Sequence, residues 1–575
     1  MSEFMEYSKE VIANFLQTVV IVDDEAFLNE ACLPSTQTST SIPDTIGRGI
    51  TSERTEQAPV EDDNTHQLNA KKLSDKFAQK GLLCTALRPT DGEIDTYNNV
   101  LKKADIVILD WRLKAEESDG ETAKSLIKSI IQDNDGNAQK SLRNIVIYSG
   151  ENNLKEKIES VKNDLEGELG EAKTPDDYSL VYNNLQIKIY AKRATQRAPY
   201  DISILKTEEE LVEVIIDDFT NQVAGLVPNM ALQSLAELRK NTHKILGVFS
   251  KELDEAYLSH RLMLPNSYDA EFFMVNILTS ELEALLLNSN EVVTSLAINN
   301  IMRWFDENFD EDDYVRLLHN EFVMTKQNDN KLEGAKNFFS YPDEIQTLKQ
   351  NNNLLDLLKE KLTDDKDKVK ELIKKLFTEN LEKTECKLIK QSEKKLKKIH
   401  EFSKKIYKPE QNEQEVEDKF AILSILTAKY SNPKPYLTLG TIIKKEDSYY
   451  LCIIPRCDAV RKQEGVHNYP FLGLKEVQDK FSLVIKDQDY KKFKIMDKPE
   501  ELIMIKMKKG DADSNTPLYA NELKFIGLDE SGSEIEYTWI AELKREKAQS
   551  ILKIFSDKFS RVGYNESEYI RRAAL

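Results

Sequence analysis

Thr18-Val19-Val20-Ile21-Val22-Asp23-Asp24-Glu25 sets a β-branched apolar run directly before two adjacent carboxylates. A run apolar at successive positions predicts a strand buried on both faces. Three later segments repeat the pattern: Ala104-Asp105-Ile106-Val107-Ile108-Leu109-Asp110-Trp111, Ile145-Val146-Ile147-Tyr148-Ser149-Gly150 and Leu185-Gln186-Ile187-Lys188-Ile189-Tyr190-Ala191-Lys192. The four strands end, in order, in Asp-Asp, Asp, Ser and Lys. In a parallel α/β sheet the carboxyl ends of the strands share one edge, and sites form there. Three carboxylates, a hydroxyl and an ammonium are therefore predicted to converge. Clustered carboxylates repel one another unless a cation bridges them. Oxygen donors without His or Cys point to Mg²⁺, which retains several waters and favours phosphate ligands.

This ordered set resembles the receiver domain of two-component response regulators. The resemblance implies a flavodoxin-like, doubly wound parallel sheet. It implies that Asp23 and Asp24 are metal carboxylates and that the backbone carbonyl of Arg112 completes the Mg²⁺ shell. Asp110 would share the metal and act as the nucleophile that accepts a phosphoryl group from a phosphohistidine. Ser149 would hydrogen-bond one phosphoryl oxygen and Lys192 would pair with another. Asp119-Gly120 resembles the Asp-Gly that opens the following helix in the family, displaced by a small insertion. Two positions depart from the pattern. Arg193 stands where the family usually has Pro, and Ile189 stands where its switch aromatic lies. Tyr190 is shifted by one, which turns it to the opposite face of the strand. Taken singly, an Asp at a strand end is also a common helix cap or turn residue. The reading rests on the ordered set of four strands.

The chain's 575 residues predict about three domains. We expect a receiver-like phosphoacceptor domain over 1–225, a helical domain over 226–410 and an α+β domain over 411–575. Within the first, residues 33–65 form a Ser/Thr/Pro-rich insertion after the first strand, read as a loop beside the acidic pair. The chain resumes as a helix near His66, with Leu68, Leu73 and Phe77 on one side, and 82–87 reads as the second strand. Thr207 and Glu210 form a capping box ahead of the last receiver helix. Helices follow over 232–249, 272–287 and 291–305, then Lys/Glu-rich helices over 353–377 and 380–406.

The sequence changes character after Ala421. Strands are predicted at 436–443, 449–454, 481–485, 502–507 and 523–528, with a turn at Glu446-Asp447-Ser448; 536–543 mixes strand and turn character, and a helix closes the segment over 544–559. Pro455-Arg456-Cys457-Asp458-Ala459-Val460-Arg461 is the sharpest local motif there. Cys452, Cys457 and His467 lack a fourth zinc ligand, and Cys457 lacks a placed base. The motif reads instead as a buried turn or a recognition loop.

The net charge of −20 argues against general nucleic-acid or membrane binding, because phosphate surfaces would be repelled. No apolar run is long enough to span a bilayer, and the start lacks a secretory pattern. Five scattered cysteines suit a reducing cytoplasm. We expect a cytoplasmic phosphoacceptor signalling protein without enzymatic output beyond slow self-dephosphorylation. Its partner would be a histidine kinase or another phosphodonor protein. An enlarged receiver joined to a non-enzymatic tail resembles the receiver proteins of bacterial antiphage phosphorelays. That likeness implies a phosphate sink, with a separate effector competing for phosphate. The alternative is a regulator whose helical or C-terminal domain gives a phosphorylation-controlled protein- or nucleic-acid-binding output.

Overall fold

The computed structural model describes residues 2–27, 68–89, 94–114, 119–132, 142–169, 172–182, 184–192, 202–264, 268–310, 403–408, 410–428, 434–460, 464–510 and 517–559, with single positions at 313, 370, 374 and 462. The insertion at 33–65 and nearly all of the two Lys/Glu-rich helices lie outside the described residues. The chain forms two compact units, residues 1–243 with 284–309, and 244–283 with 310–575. The described part of the helical segment expected over 226–410 is thus divided between them.

The first unit begins with helix α1 (Glu3–Phe15), capped by the Ser2 side chain and buried through Phe4, Val11, Ile12 and Phe15. There follow β1 (Thr18–Val22), α2 (Ala70–Gln79), β2 (Leu83–Leu87), α3 (Ile94–Leu101) and β3 (Ile106–Leu109). The helix expected near His66 starts at Ala70. Leu68 belongs instead to a two-residue strand paired with Ala26-Phe27. Next come α4 (Glu121–Ile131), β4 (Arg143–Ser149), α5 (Leu154–Leu169), β5 (Lys173–Asp176), β6 (Ser179–Tyr182), β7 (Leu185–Lys192), β8 (Leu205–Lys206), α6 (Glu208–Val223) and α7 (Leu226–Val248). The predicted capping box is present, with Thr207 Oγ1 accepting from the Glu210 backbone.

The sheet runs β2-β1-β3-β4-β7-β6-β5, with β8 also on β7. Its first five strands are parallel. The β5–β6 hairpin, which the sequence reading did not anticipate, joins the sheet through β6, which is antiparallel to β7. The parallel strands are apolar on both faces because helices cover both: Val19 to Val22, Ile106 to Leu109 and Ile145 to Ile147 are all buried. Strand order reverses after β2. Right-handed crossovers therefore put α2 on one face and the later crossover helices on the other. In agreement, α2 packs on α6, while α4 packs on α3 and α5. The reversal opens a crevice at the carboxyl ends of β1 and β3.

At the opposite end of these strands another carboxylate has a structural task. Asp105 accepts hydrogen bonds from the Gln17 and Thr18 backbones and pairs with Arg239 at 3.1 Å. This clamps the entry to β1 against β3 and α7.

The second unit contains α8 (Asp254–Met263), the first part of α9 (Tyr268–Asn288) and, after the residues not described, α10 (Glu413–Ile425). Its strands are β9 (Thr441–Lys445), β10 (Ser448–Cys452), β11 (Gly465–Glu476), β12 (Leu483–Asp487), β13 (Asp489–Ile495), β14 (Leu502–Lys509), β15 (Lys524–Leu528) and β16 (Glu534–Glu542), followed by α11 (Arg545–Phe559). All five predicted strands are present, the segment over 536–543 that mixed strand and turn character falls in strand β16, and β11 and β13 are additional. The sheet runs β10-β9-β16-β15-β14-β11-β13-β12, and β10 also pairs with β11. Six antiparallel strands therefore close into a ring, with β13 and β12 continuing off β11. The C-terminal α+β part is thus barrel-like. One core packs around Tyr469, Phe471 and Phe525, and a second packs beneath α11.

Candidate functional site

The sheet register brings the four strand ends to one edge. Val22 is level with Leu109, Leu109 with Ile147, and Ser149 with Ala191. The next residue of each strand, or its last, then reaches the crevice. Asp23, Asp110, Ser149 and Lys192 are all buried there, and Asp24 is half-buried.

Lys192 Nζ lies 2.9 Å from Asp23 Oδ2 and 2.8 Å from Asp110 Oδ2, so one ammonium ties the ends of three strands. The second oxygen of each carboxylate is fixed by backbone. Asp23 Oδ1 accepts from Glu25 N at 2.9 Å, and Asp110 Oδ1 accepts from Trp111 N at 2.6 Å. Carboxylate oxygens of Asp23, Asp24 and Asp110 lie within 4.8 Å of one another. Among the described residues, no other group of three or more His, Cys, Asp and Glu residues is arranged to hold a metal ion.

One lysine does not balance this charge. Burial, opposed by Lys192 and reinforced by Asp110, pushes the Asp23 carboxyl up to about 7. Burial and the neighbouring Asp110 and Glu25 also raise Asp24. Burial on its own would lower the Lys192 ammonium, but Asp110 and Asp23 outweigh it and hold the pKa above its ordinary value. The crowded carboxylates thus carry more negative charge than their surroundings compensate. Their all-oxygen donor set fits a hard divalent cation.

Ser149 Oγ accepts from Glu151 N at 3.3 Å, which leaves its O–H to donate into the crevice. Arg112 follows Asp110 by two residues. Its side chain is exposed and pairs with Glu151 at 2.9 Å, fastening the loop after β3 to the loop after β4. Gly120 caps α4 with φ +63°, as its place in the Asp119-Gly120 pair suggests. A Cβ there would lie 2.4 Å from the Trp111 ring. The glycine therefore gives room to the indole whose backbone N–H holds Asp110. The Arg112–Glu151 pair and the approach of Gly120 to Trp111 are supports that strand-end reasoning did not find, since their members meet only once the loops are folded.

Tyr190 faces away from the crevice, as its one-residue shift predicts. Its hydroxyl donates to Asp218 of α6, which also pairs with Lys188 at 2.7 Å. Ile189 is fully buried in the core. A different aromatic approaches the site: the Tyr148 ring centre lies 5.9 Å from Lys192 Nζ, and its hydroxyl donates to the Lys206 carbonyl at 2.9 Å. Arg193 is outside the described residues.

Residues 15–197 match the family model described as the response receiver domain. This part of the chain is a response receiver domain. No curated protein and no solved structure matches the chain. The receiver supports a phosphoacceptor function of the response-regulator kind and implies a phosphodonor partner. Among the described residues, no helix is long and apolar enough to cross a membrane.

Proposed function

We propose that this chain is a cytoplasmic response-regulator-like protein that accepts a phosphoryl group on Asp110 from a partner histidine kinase. The observation that carries the reading is the joint placement of Asp23, Asp24 and Asp110 around the Lys192 ammonium. An Asp110 oxygen attacks the phosphorus of a phosphohistidine. As the new O–P bond forms, the N–P bond breaks, and the leaving imidazole keeps the electron pair. Such transfers need little beyond alignment and charge neutralisation, and an aspartyl phosphate is an established type of covalent intermediate.

Trp111 N–H holds one Asp110 oxygen and so orients the other. Lys192 exchanges its carboxylate contact for a phosphoryl oxygen, and the Ser149 hydroxyl donates to a second. Asp23, Asp24, Asp110 and the Arg112 carbonyl would hold Mg²⁺, which supplies charge neutralisation at the phosphoryl oxygens.

The engagement of Tyr190 by Asp218 favours a receiver whose phosphorylation is weakly transmitted. That supports the sink reading, in which this chain absorbs phosphate in competition with a separate effector, as in an antiphage phosphorelay. The Tyr148 contact from Lys192 to the Lys206 backbone favours the output reading, because it links the crevice to the start of α6.

Incubation with acetyl phosphate and Mg²⁺, followed by intact mass measurement, tests the acceptor. One added phosphoryl group in the wild type and none in Asp110→Asn supports the proposal. Equal labelling of both proteins overturns the assignment of Asp110. If neither is labelled, a phosphorylated histidine kinase or phosphotransfer protein replaces acetyl phosphate as donor, and no transfer to the wild type from that donor overturns phosphoacceptance. A phosphorylation-dependent change in size or hydrogen exchange beyond the receiver would select the output reading over the sink.

A further inference from the structure

The second unit contains a cavity of about 620 Å³ between β16, α11 and the segment leading into β9. This lies within the roughly 300–1,000 Å³ that small-molecule sites occupy. Its walls are largely apolar, with Leu439, Trp539, Leu543 and Leu552 among the lining side chains. Three cations, Lys434, Arg456 and Arg545, also line it.

Among the described residues, the only carboxylate in the lining is Glu542, half-buried at the end of β16. Burial, eased by a hydrogen bond from Thr441 at 3.3 Å, pushes that carboxyl up to about 8. The charge of Arg456 opposes that shift.

Arg456 is held in place before any ligand arrives. Its guanidinium carbon lies 3.9 Å from the centre of the Phe272 ring, and its Nε donates to the Tyr436 hydroxyl at 2.8 Å. Its two terminal nitrogens have no acceptor among the described residues. Arg545 is steadied by Asn276 at 2.9 Å. Thr438, also in the lining, has a buried hydroxyl without a hydrogen-bond partner among the described residues. An apolar chamber with oriented cations and an unsatisfied hydroxyl has the make-up of a ligand site rather than of a packing defect.

We propose that this cavity binds a small organic anion with an apolar, ring-sized body. The anionic group lies against Arg456 with Lys434 and Arg545 nearby, and the body lies against Leu439, Leu543 and Leu552. The site is separate from the phosphoacceptor crevice and does not depend on its reading.

The test is a fluorescence titration of the full chain with anilinonaphthalene sulfonate, an anionic ring compound, beside its neutral counterpart phenylnaphthylamine. Two variants accompany the wild type. Arg456→Gln removes the oriented charge, and Gln549→Trp blocks the cavity from an exposed position on α11. We expect saturable binding of one sulfonate dye per wild-type chain. Each variant should weaken it about tenfold or more, the scale of one lost charge-assisted contact, and the neutral dye should bind weaker by a similar factor. Unfolding midpoints establish that the variants are folded, and Arg545→Gln replaces Arg456→Gln should the latter unfold. Absence of saturable binding, binding that survives in either folded variant, or equal affinity for the neutral dye overturns the proposal.

Discussion

Lys192 Nζ and Asp110 Oδ2 lie 2.8 Å apart although 82 positions separate them in the chain, and the same ammonium holds Asp23 at 2.9 Å. Replacing Lys192 with Met leaves three clustered carboxylates without their internal cation. Removing one partner of a buried ion pair costs about 3–5 kcal/mol. We therefore expect Lys192→Met to lower the unfolding midpoint strongly in a chelator, with much of the loss restored by millimolar Mg²⁺. A loss that Mg²⁺ does not reverse would mean that the carboxylates do not share a cation.

Gly120 sits at positive φ with the Trp111 ring where a Cβ would go. Gly120→Ala should therefore cost roughly 1–3 kcal/mol through backbone strain and steric displacement. Because Trp111 N holds Asp110 Oδ1, the same change should slow phosphorylation by acetyl phosphate. Denaturant unfolding and initial labelling rates measure the two effects. An unchanged labelling rate in a destabilised variant would separate the indole from the chemistry.

The Tyr190 hydroxyl is bound to Asp218 and points away from the crevice. Tyr190→Phe should cost about 1.5–3 kcal/mol, the worth of one hydrogen bond to a carboxylate, and leave the rate of phosphate uptake unaltered. A large fall in uptake would show that this side chain takes part in the switch despite its shift along β7.

Glu542 offers a pH test in the second unit. Its folded carboxyl is raised from 4.5 to about 8. Between those pH values the folded chain holds more protons than the unfolded one, so the stability this group contributes is complete below the lower value and is lost as pH rises through the upper one. Glu542→Gln, which is neutral throughout, should flatten the decline in that unit's unfolding midpoint between pH 5 and about 8.5. A wild type and variant with parallel pH profiles would refute the shifted carboxyl.

The receiver was legible because its strands are short β-branched runs whose last residues carry the chemistry. Asp23, Asp24, Asp110, Ser149 and Lys192 could be read only together, as an ordered set at four strand ends. What escaped has a physical reason. Strand β11 includes His467, Asn468, Pro470 and Gly473, residues with weak strand preference. It is held as a strand by pairing with β10 and β13 at one end and along its length with β14. Strand β5 is Lys173-Thr174-Pro175-Asp176, wholly exposed and without an apolar side. The Arg112–Glu151 pair joins two loops that are distant in sequence, so no local pattern announces it.

The β5–β6 hairpin alters the outer border of the receiver sheet. In the parallel order β2-β1-β3-β4-β7 the last strand would offer its free N–H and C=O groups to any passing chain, but β6 and β8 occupy them. The outermost strand on that side becomes β5, four residues long and containing a proline and an aspartate. Such a strand is a poor template for edge-to-edge pairing. The lysine-bearing strand of the phosphoacceptor crevice is thereby shielded from strand exchange, and this margin of the domain should resist aggregation even when the chain is concentrated.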